Sequence, residues 1–255
     1  MNVLAIDIGN TRIKWGLWEQ PAGKRGEQRE GGREGGIWTR LGALTHDESD
    51  ALQAVFAALP APQRIAISNV AGIGVAQRIE QSCSGFGVPL TWARPQAEQC
   101  GVINRYDTAQ LGADRWAALL GAWHRQHGAC LVVGAGTATT ADLLSARGEF
   151  RGGIILPGLA LMKRSLVENT ARLPFADGAW TAEPRNTADA IESGVLHAQA
   201  GAIERMYAQL ARTEGDSATC LISGGAAARI AECLAIPYRM ADHLVLDGLA
   251  RIALA

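Results

Sequence analysis

The sequence predicts an α/β protein made of two similar halves with a cleft between them, and three observations lead there. Residues 3–9 are mostly apolar and turn through Gly9-Asn10-Thr11 into residues 12–18, where polar and apolar side chains alternate as in a half-buried strand. The same opening recurs at Ala129: residues 130–133 are strand-like, Gly134-Ala135-Gly136 is a turn, and residues 137–144 carry the β-branched side chains that suit a second strand. After each hairpin, stretches of helical period alternate with short apolar runs, the pattern of sheets flanked by helices. The expected lobes are residues 1–128 and 129–255.

In the first lobe, residues 49–59 have amphipathic helical spacing, 64–70 read as a half-buried strand, 73–82 as a helix and 88–92 as a strand. A longer helix is expected over 111–126, where Trp116, Leu119, Leu120 and Trp123 recur on one face and should enter the core. In the second lobe, 149–155 supply a third strand and 159–169 a helix. Asn186 can cap a long helix reaching about Leu210. An apolar strand from Thr219 then enters the turn at Gly224-Gly225, ahead of another helix. Between Glu19 and Gly36, six glycines, one proline and many charges predict an exposed loop.

Bulk properties narrow the class of function. A hydrophobic content of 48% can fill sizeable cores in 255 residues. With 24 basic against 25 acidic side chains the net charge is -1, which supplies no field for nucleic acid or an anionic membrane surface. Met1-Asn2-Val3-Leu4-Ala5-Ile6-Asp7 lacks a basic leader segment, and no run of about 18 apolar residues could span a bilayer. Cys83, Cys100, Cys130, Cys220 and Cys233 are odd in number and far apart, as expected of reduced thiols in the cytoplasm. A small-molecule role follows.

The two glycine turns carry the chemistry. Backbone N–H groups of a tight turn can hold phosphate oxygens if no side chain blocks the approach, so Gly9 and Gly136 suit that task. Asn10 and Thr11, and Thr137, Thr139 and Thr140, add small hydrogen-bonding side chains. Asp7 would repel phosphate unless a metal ion stood between them, so its expected role is to hold Mg2+, through water. The spacing of a Walker loop is absent, and each turn leads into a strand.

Phosphate turns of this kind in duplicated lobes resemble the actin, hexokinase and heat-shock ATPase superfamily, whose lobes are ribonuclease H-like. Gly224-Gly225 is similar to its glycine pair beside adenosine. Within it the chain resembles the type III pantothenate kinases, through Asp7-Ile8-Gly9-Asn10-Thr11, Leu111-Gly112-Ala113-Asp114-Arg115-Trp116, Gly136-Thr137-Ala138 with Thr140 and Asp142, Gly152-Gly153-Ile154-Ile155-Leu156-Pro157-Gly158, Asn186-Thr187 and Ser223-Gly224-Gly225. The resemblance implies that Asp114 is the catalytic base. It places ATP on Asp7, Ile8, Gly9, Asn10, Thr11, Arg12, Ile13, Lys14 and Thr137, and pantothenate on Tyr106, Gly112, Ala113, Asp114, Arg115 and Thr187. It also implies Mg2+, a monovalent cation (K+ or NH4+), and a homodimer with active sites near the subunit interface. Arg115 is suited to pair with the substrate carboxylate in a fork geometry. Two other readings remain open at this point: a catalytically weak nucleotide-binding regulator of the same fold, and a kinase of another small hydroxy acid.

The chain departs from the family pattern twice. The interval from Tyr106 to Gly112 is one residue shorter than usual, with Ala109 where proline is common. The position two before Gly136, where the family usually has an acidic residue serving the monovalent cation, is Gly134. Backbone carbonyls and water are left to hold that ion. Activity should therefore rise more shallowly with K+ than in a relative bearing the carboxylate, as a K+ titration of initial rates will show; equal steepness would refute it.

Overall fold

β1 (Asn2–Ile8) is buried along nearly its whole length and is paired on both edges, antiparallel with β2 (Arg12–Glu19) and parallel with β4 (Arg64–Asn69). β2 pairs with β3 (Ile37–Thr45) and β4 with β5 (Leu90–Trp92), giving the order β3-β2-β1-β4-β5. The computed structural model describes residues 1–20, 36–170 and 177–255; the expected glycine-rich loop lies, over residues 21–35, outside them. Two compact units result, Met1–His127 with Leu244–Ala255, and Gly128–His243.

Strand periodicity sorts the first unit into two layers. Leu4, Ile6, Ile8, Ile13, Trp15, Leu17, Ile65 and Ile67 form one core with Leu52 and Phe56 of α1 (Leu52–Ala57) and Ile79 and Cys83 of α2 (Ile73–Cys83). Alternate residues of β1, Val3, Ala5 and Asp7, must then face the other side. There α3 (Ala113–Gln126) and α7 (Leu244–Leu254) cover the sheet. β4 was expected to be half-buried, but this double covering buries residues 65–68 on both faces.

The second unit repeats the strand order. β8 (Cys130–Ala135) is flanked by β9 (Ala138–Leu144) and by β11 (Thr219–Ser223). β9 pairs antiparallel with β10 (Glu149–Pro157), and β11 pairs parallel with β12 (Tyr238–Met240). The resulting run, β10-β9-β8-β11-β12, matches β3-β2-β1-β4-β5 strand for strand. This is the duplicated α/β lobe expected from the sequence. Leu131, Val133 and Ile222 pack under Val195, Leu196 and Ile203 of the long α5 (Thr187–Glu214). α4 (Leu159–Asn169) and the short α6 (Ala227–Ala231) lie beside it. Asn186 caps α5 as expected, its side-chain oxygen accepting from the Asp189 N–H at 2.9 Å.

The last helix departs from the expected division at Gly128. α7 packs in the first unit, on α3, β1 and β4, because both helices bring glycine to the contact. A Cβ on Gly121 would stand 2.2 Å from the Leu244 carbonyl oxygen, and one on Gly248 1.8 Å from that of Ala117. Asp247 secures the same helix, accepting from Trp38 Nε1 at 2.9 Å and pairing with Arg125 Nε at 2.5 Å. Gly248→Ala should force α3 and α7 apart and cost about 2 kcal/mol, read as a lowered urea midpoint; an unchanged midpoint would refute the close contact.

Candidate active site

In the first unit the β1–β2 turn is closed by the Gly9 N–H donating to the Arg12 carbonyl at 3.1 Å. Gly9 does not need a left-handed backbone, and a Cβ there would meet only the Arg12 oxygen, at 3.3 Å. Clearance above the turn, where Asn10 and Thr11 are exposed, is what glycine provides. The Gly9 carbonyl accepts from His46 Nε2 at 2.9 Å.

Asp7 lies one residue inside β1 from that turn. Register sets Lys14 of β2 opposite it on one side and Ser68 of β4 on the other. It is 7% exposed, and its Oδ1 has no hydrogen-bond partner among the described residues. Burial raises the carboxyl to about 6; Lys14 opposes the rise, Asp114 adds to it, and Ser68 opposes it. The strand alternation that turns Asp7 toward the α3 layer thus brings the two acidic residues within electrostatic reach.

Asp114 sits in the first turn of α3, where a carboxylate is favoured by the helix dipole, and its Oδ1 accepts from the Arg115 N–H at 2.8 Å. Gly112 is the N-cap, and a Cβ there would stand 2.6 Å from that same oxygen. Arg115 is buried with its guanidinium 5.4 Å from the centre of the Tyr106 ring, a cation–π distance. A two-strand hairpin, β6 (Glu98–Gln99) with β7 (Val102–Asn104), leads to Tyr106 and is tied to α3 by Trp116 Nε1 donating to Gln99 at 2.8 Å. Asn104 then accepts from the Tyr106 N–H at 2.9 Å.

In the second unit three glycine turns converge. The Gly136 N–H donates to the Ala138 carbonyl at 3.0 Å, and the exposed Thr137 occupies the turn. Gly158 donates to the Thr137 carbonyl at 2.9 Å, so close that a Cβ would lie 2.3 Å from the Gly136 oxygen. Gly224, at φ +111, packs on β8 with room for no Cβ beside the Ala135 oxygen, while Gly225 faces open space. Asp142 is buried in β9 against Gly153 of β10. Thr187 opens α5 and, with Asn186 and Arg185, lines a cleft of about 790 Å3 whose apolar wall includes Met162, Leu166 and Val195. Glu192, buried on α5, is paired with Lys163 of α4 and Arg229 of α6.

Tyr106, Gly112, Asp114 and Arg115 therefore belong to one constellation with Asp7 and Lys14, whereas Thr137 and Thr187 lie in the other unit. Ser68 and His46 were not anticipated. Ser68 enters only through strand pairing, although His46 sits in a Thr-x-x-Glu segment that could have signalled a built turn. Among the described residues no group of three or more His, Cys, Asp or Glu forms a metal cluster. Burial lifts the thiols of Cys83, Cys130 and Cys220 to about 12, which makes them poor nucleophiles.

Comparison with known proteins decides the family. The family model described as type III pantothenate kinase matches residues 3–209. A type III pantothenate kinase of Aromatoleum aromaticum is 53% identical over 252 residues, covering 98% of this chain and 97% of the relative. That of Azoarcus sp. (strain BH72) is 48% identical, over 99% of this chain and 91% of its own. The chain belongs to the type III pantothenate kinase family. Among solved structures, a Baf-family protein from Campylobacter jejuni aligns with a TM-score of 0.58 at 21% identity, covering 98% of this chain and 96% of its own. The ethanolamine utilization protein EutJ from Carboxydothermus hydrogenoformans aligns with a TM-score of 0.51 at 13% identity, covering 98% and 89%. These last two similarities concern the fold.

The Asp7 carboxyl has a testable cost. Its pKa is higher in the fold than in the unfolded chain, so the unfolded state sheds this proton first and stability falls as pH rises from about 4 to about 6. Asp7→Asn should stabilise the ligand-free protein by up to about 3 kcal/mol at pH 8, with the gain fading below pH 6. Urea midpoints of both proteins from pH 4 to 8 check this; a pH-independent difference would refute it.

Proposed function

We propose that the chain transfers the γ-phosphoryl group of ATP to the terminal hydroxyl of pantothenate, the first step of coenzyme A biosynthesis. The activity is that of its family, and the structural observation that best supports the residue roles is the coupling of Asp7 with Asp114 at the head of α3. Phosphoryl transfer depends mainly on alignment and on neutralising charge over the phosphate oxygens. Asp114 accepts the hydroxyl proton late in the transfer. The cap at Gly112 leaves its carboxylate room to fold back over the helix start. Arg115, its plane supported by Tyr106, takes the pantothenate carboxylate; Ala113 and, in the second unit, Thr187 are the remaining pantothenate contacts of this reading. The turn from Ile8 through Asn10, Thr11, Arg12 and Ile13 to Lys14, together with Thr137, holds the nucleotide.

The residues fit Mg2+. Asp7 presents a buried oxygen without a partner, close to a second carboxylate, and a hard divalent ion would relieve that repulsion. When bound, Mg2+ supplies positive charge to the ATP phosphates. A monovalent cation has weaker chemistry to draw on, since Gly134 faces only the Thr140 hydroxyl, 3.0 Å from where its Cβ would stand. No helix among the described residues is long and apolar enough to cross a membrane. The proposal places the enzyme in the cytoplasm as a homodimer.

Purified protein with ATP, Mg2+, K+ and pantothenate should release ADP and yield phosphopantothenate by mass spectrometry. Asp114→Asn should lower kcat by about 100-fold or more while the ATP KM moves less than about threefold. Near-normal turnover in that variant removes Asp114 as base. A wild-type protein inactive on pantothenate but active on another acceptor from a panel of small hydroxy acids would move the assignment to that acceptor.

A further inference from the structure

We infer that His46 is a positioning residue for the first phosphate turn, acting through the Gly9 carbonyl to aim the Asn10 N–H at a nucleotide phosphate oxygen. β3 runs back along β2 with Thr45 opposite Arg12, which delivers the following residue to the β1–β2 turn. The chain is then locked in place. Glu48 accepts from both the Thr45 N–H and the Thr45 hydroxyl at 2.9 Å, while the Glu48 and Ser49 N–H groups donate to the Thr45 and His46 carbonyls at 3.2 Å. These bonds close a tight turn over Thr45–Ser49 in which His46 is the second residue.

A carbonyl oxygen only accepts, so Nε2, 2.9 Å from the Gly9 oxygen, carries the proton. The ring's other nitrogen, Nδ1, is sealed from solvent with no partner among the described residues. Burying a ring nitrogen unpaired is costly, and the bond to Gly9 is the interaction on which that burial is spent. Gly9 is consequently held at both ends, its N–H by Arg12 and its carbonyl by His46. The Gly9–Asn10 peptide is planar and trans, so its C=O and N–H point in opposite directions. Fixing the carbonyl toward His46 fixes the Asn10 N–H away from it, where a phosphate oxygen can accept.

The inference rests on the reading of this turn as a nucleotide site, and its test separates the two. His46→Gln keeps a donor within reach of Gly9; His46→Met has similar length and none, and His46→Phe keeps the ring shape without a donor. The ATP KM, the pantothenate KM, the urea midpoint and the calorimetric Kd for a non-hydrolysable ATP analogue with Mg2+ are measured on the full chain. Met and Phe should each raise the ATP KM and the analogue Kd about tenfold. The pantothenate KM should change less than twofold, and Gln should stay within about threefold of wild type. The inference falls if the donor-less variants bind the analogue within twofold of wild type, if Gln loses as much as Met and Phe, or if pantothenate affinity drops in parallel. A wild-type chain that binds the analogue but phosphorylates no pantothenate overturns the kinase reading alone, leaving the calorimetric comparison valid. One that binds no nucleotide overturns both.

Discussion

The first unit is organised around a carboxylate placed where a carboxylate is unstable. Asp7 belongs to the most buried strand of its sheet, on the face covered by α3 and α7, and lies within electrostatic reach of Asp114. Neither the register-paired Lys14 nor Ser68 fully offsets its burial, and Oδ1 is left without a partner. A fold selected only for stability would put an apolar residue there, continuing Val3 and Ala5. On the proposed reading, a cation and an anionic substrate complete the arrangement.

Other local devices serve that placement. Glycines at 121 and 248 let α3 and α7 approach to backbone distance where the two helices cover β1 and β4. The β6–β7 hairpin is held on α3 through Trp116 and brings Tyr106 against Arg115. Gly112 both caps α3 and leaves space for the Asp114 carboxylate. These contacts belong to packing rather than to the reaction, but each of them limits where the two carboxylates can go.

Duplication accounts for the general plan but not for the details of the two glycine turns. Both occupy the same link in the same strand order, β1–β2 in one unit and β8–β9 in the other. The first is held from outside by a histidine and sits beside a buried acid. The second is held by two further glycine turns, at Gly158 and Gly224, which press their backbones against it where no side chain would fit. The inequality suggested in the sequence by Asp7 in one hairpin and Gly134 in the other thus extends to the way each turn is held in place.

Strands and helices with strong periodicity were legible in the sequence, because burial on one face leaves a repeat of two or of 3.6 residues. β1, β2, β8, β9 and α3 were expected where they occur, as were the Asn186 cap and the core position of Trp116. β3, β6, β7, β12 and α7 were not foreseen: the strands are short, partly exposed or broken by a register shift, and α7 is apolar around most of its surface. The sequence by itself determined the chemical types available, namely two glycine turns, the Gly-Ala-Asp-Arg segment and a near-neutral charge, because these depend only on which residues are present. Only the tertiary structure decided that α7 belongs with the first unit, that Asp7 comes within electrostatic reach of Asp114, that Arg115 rests on Tyr106 and that His46 reaches Gly9. Each of those joins residues distant in the chain through strand register and helix packing, which local sequence does not encode.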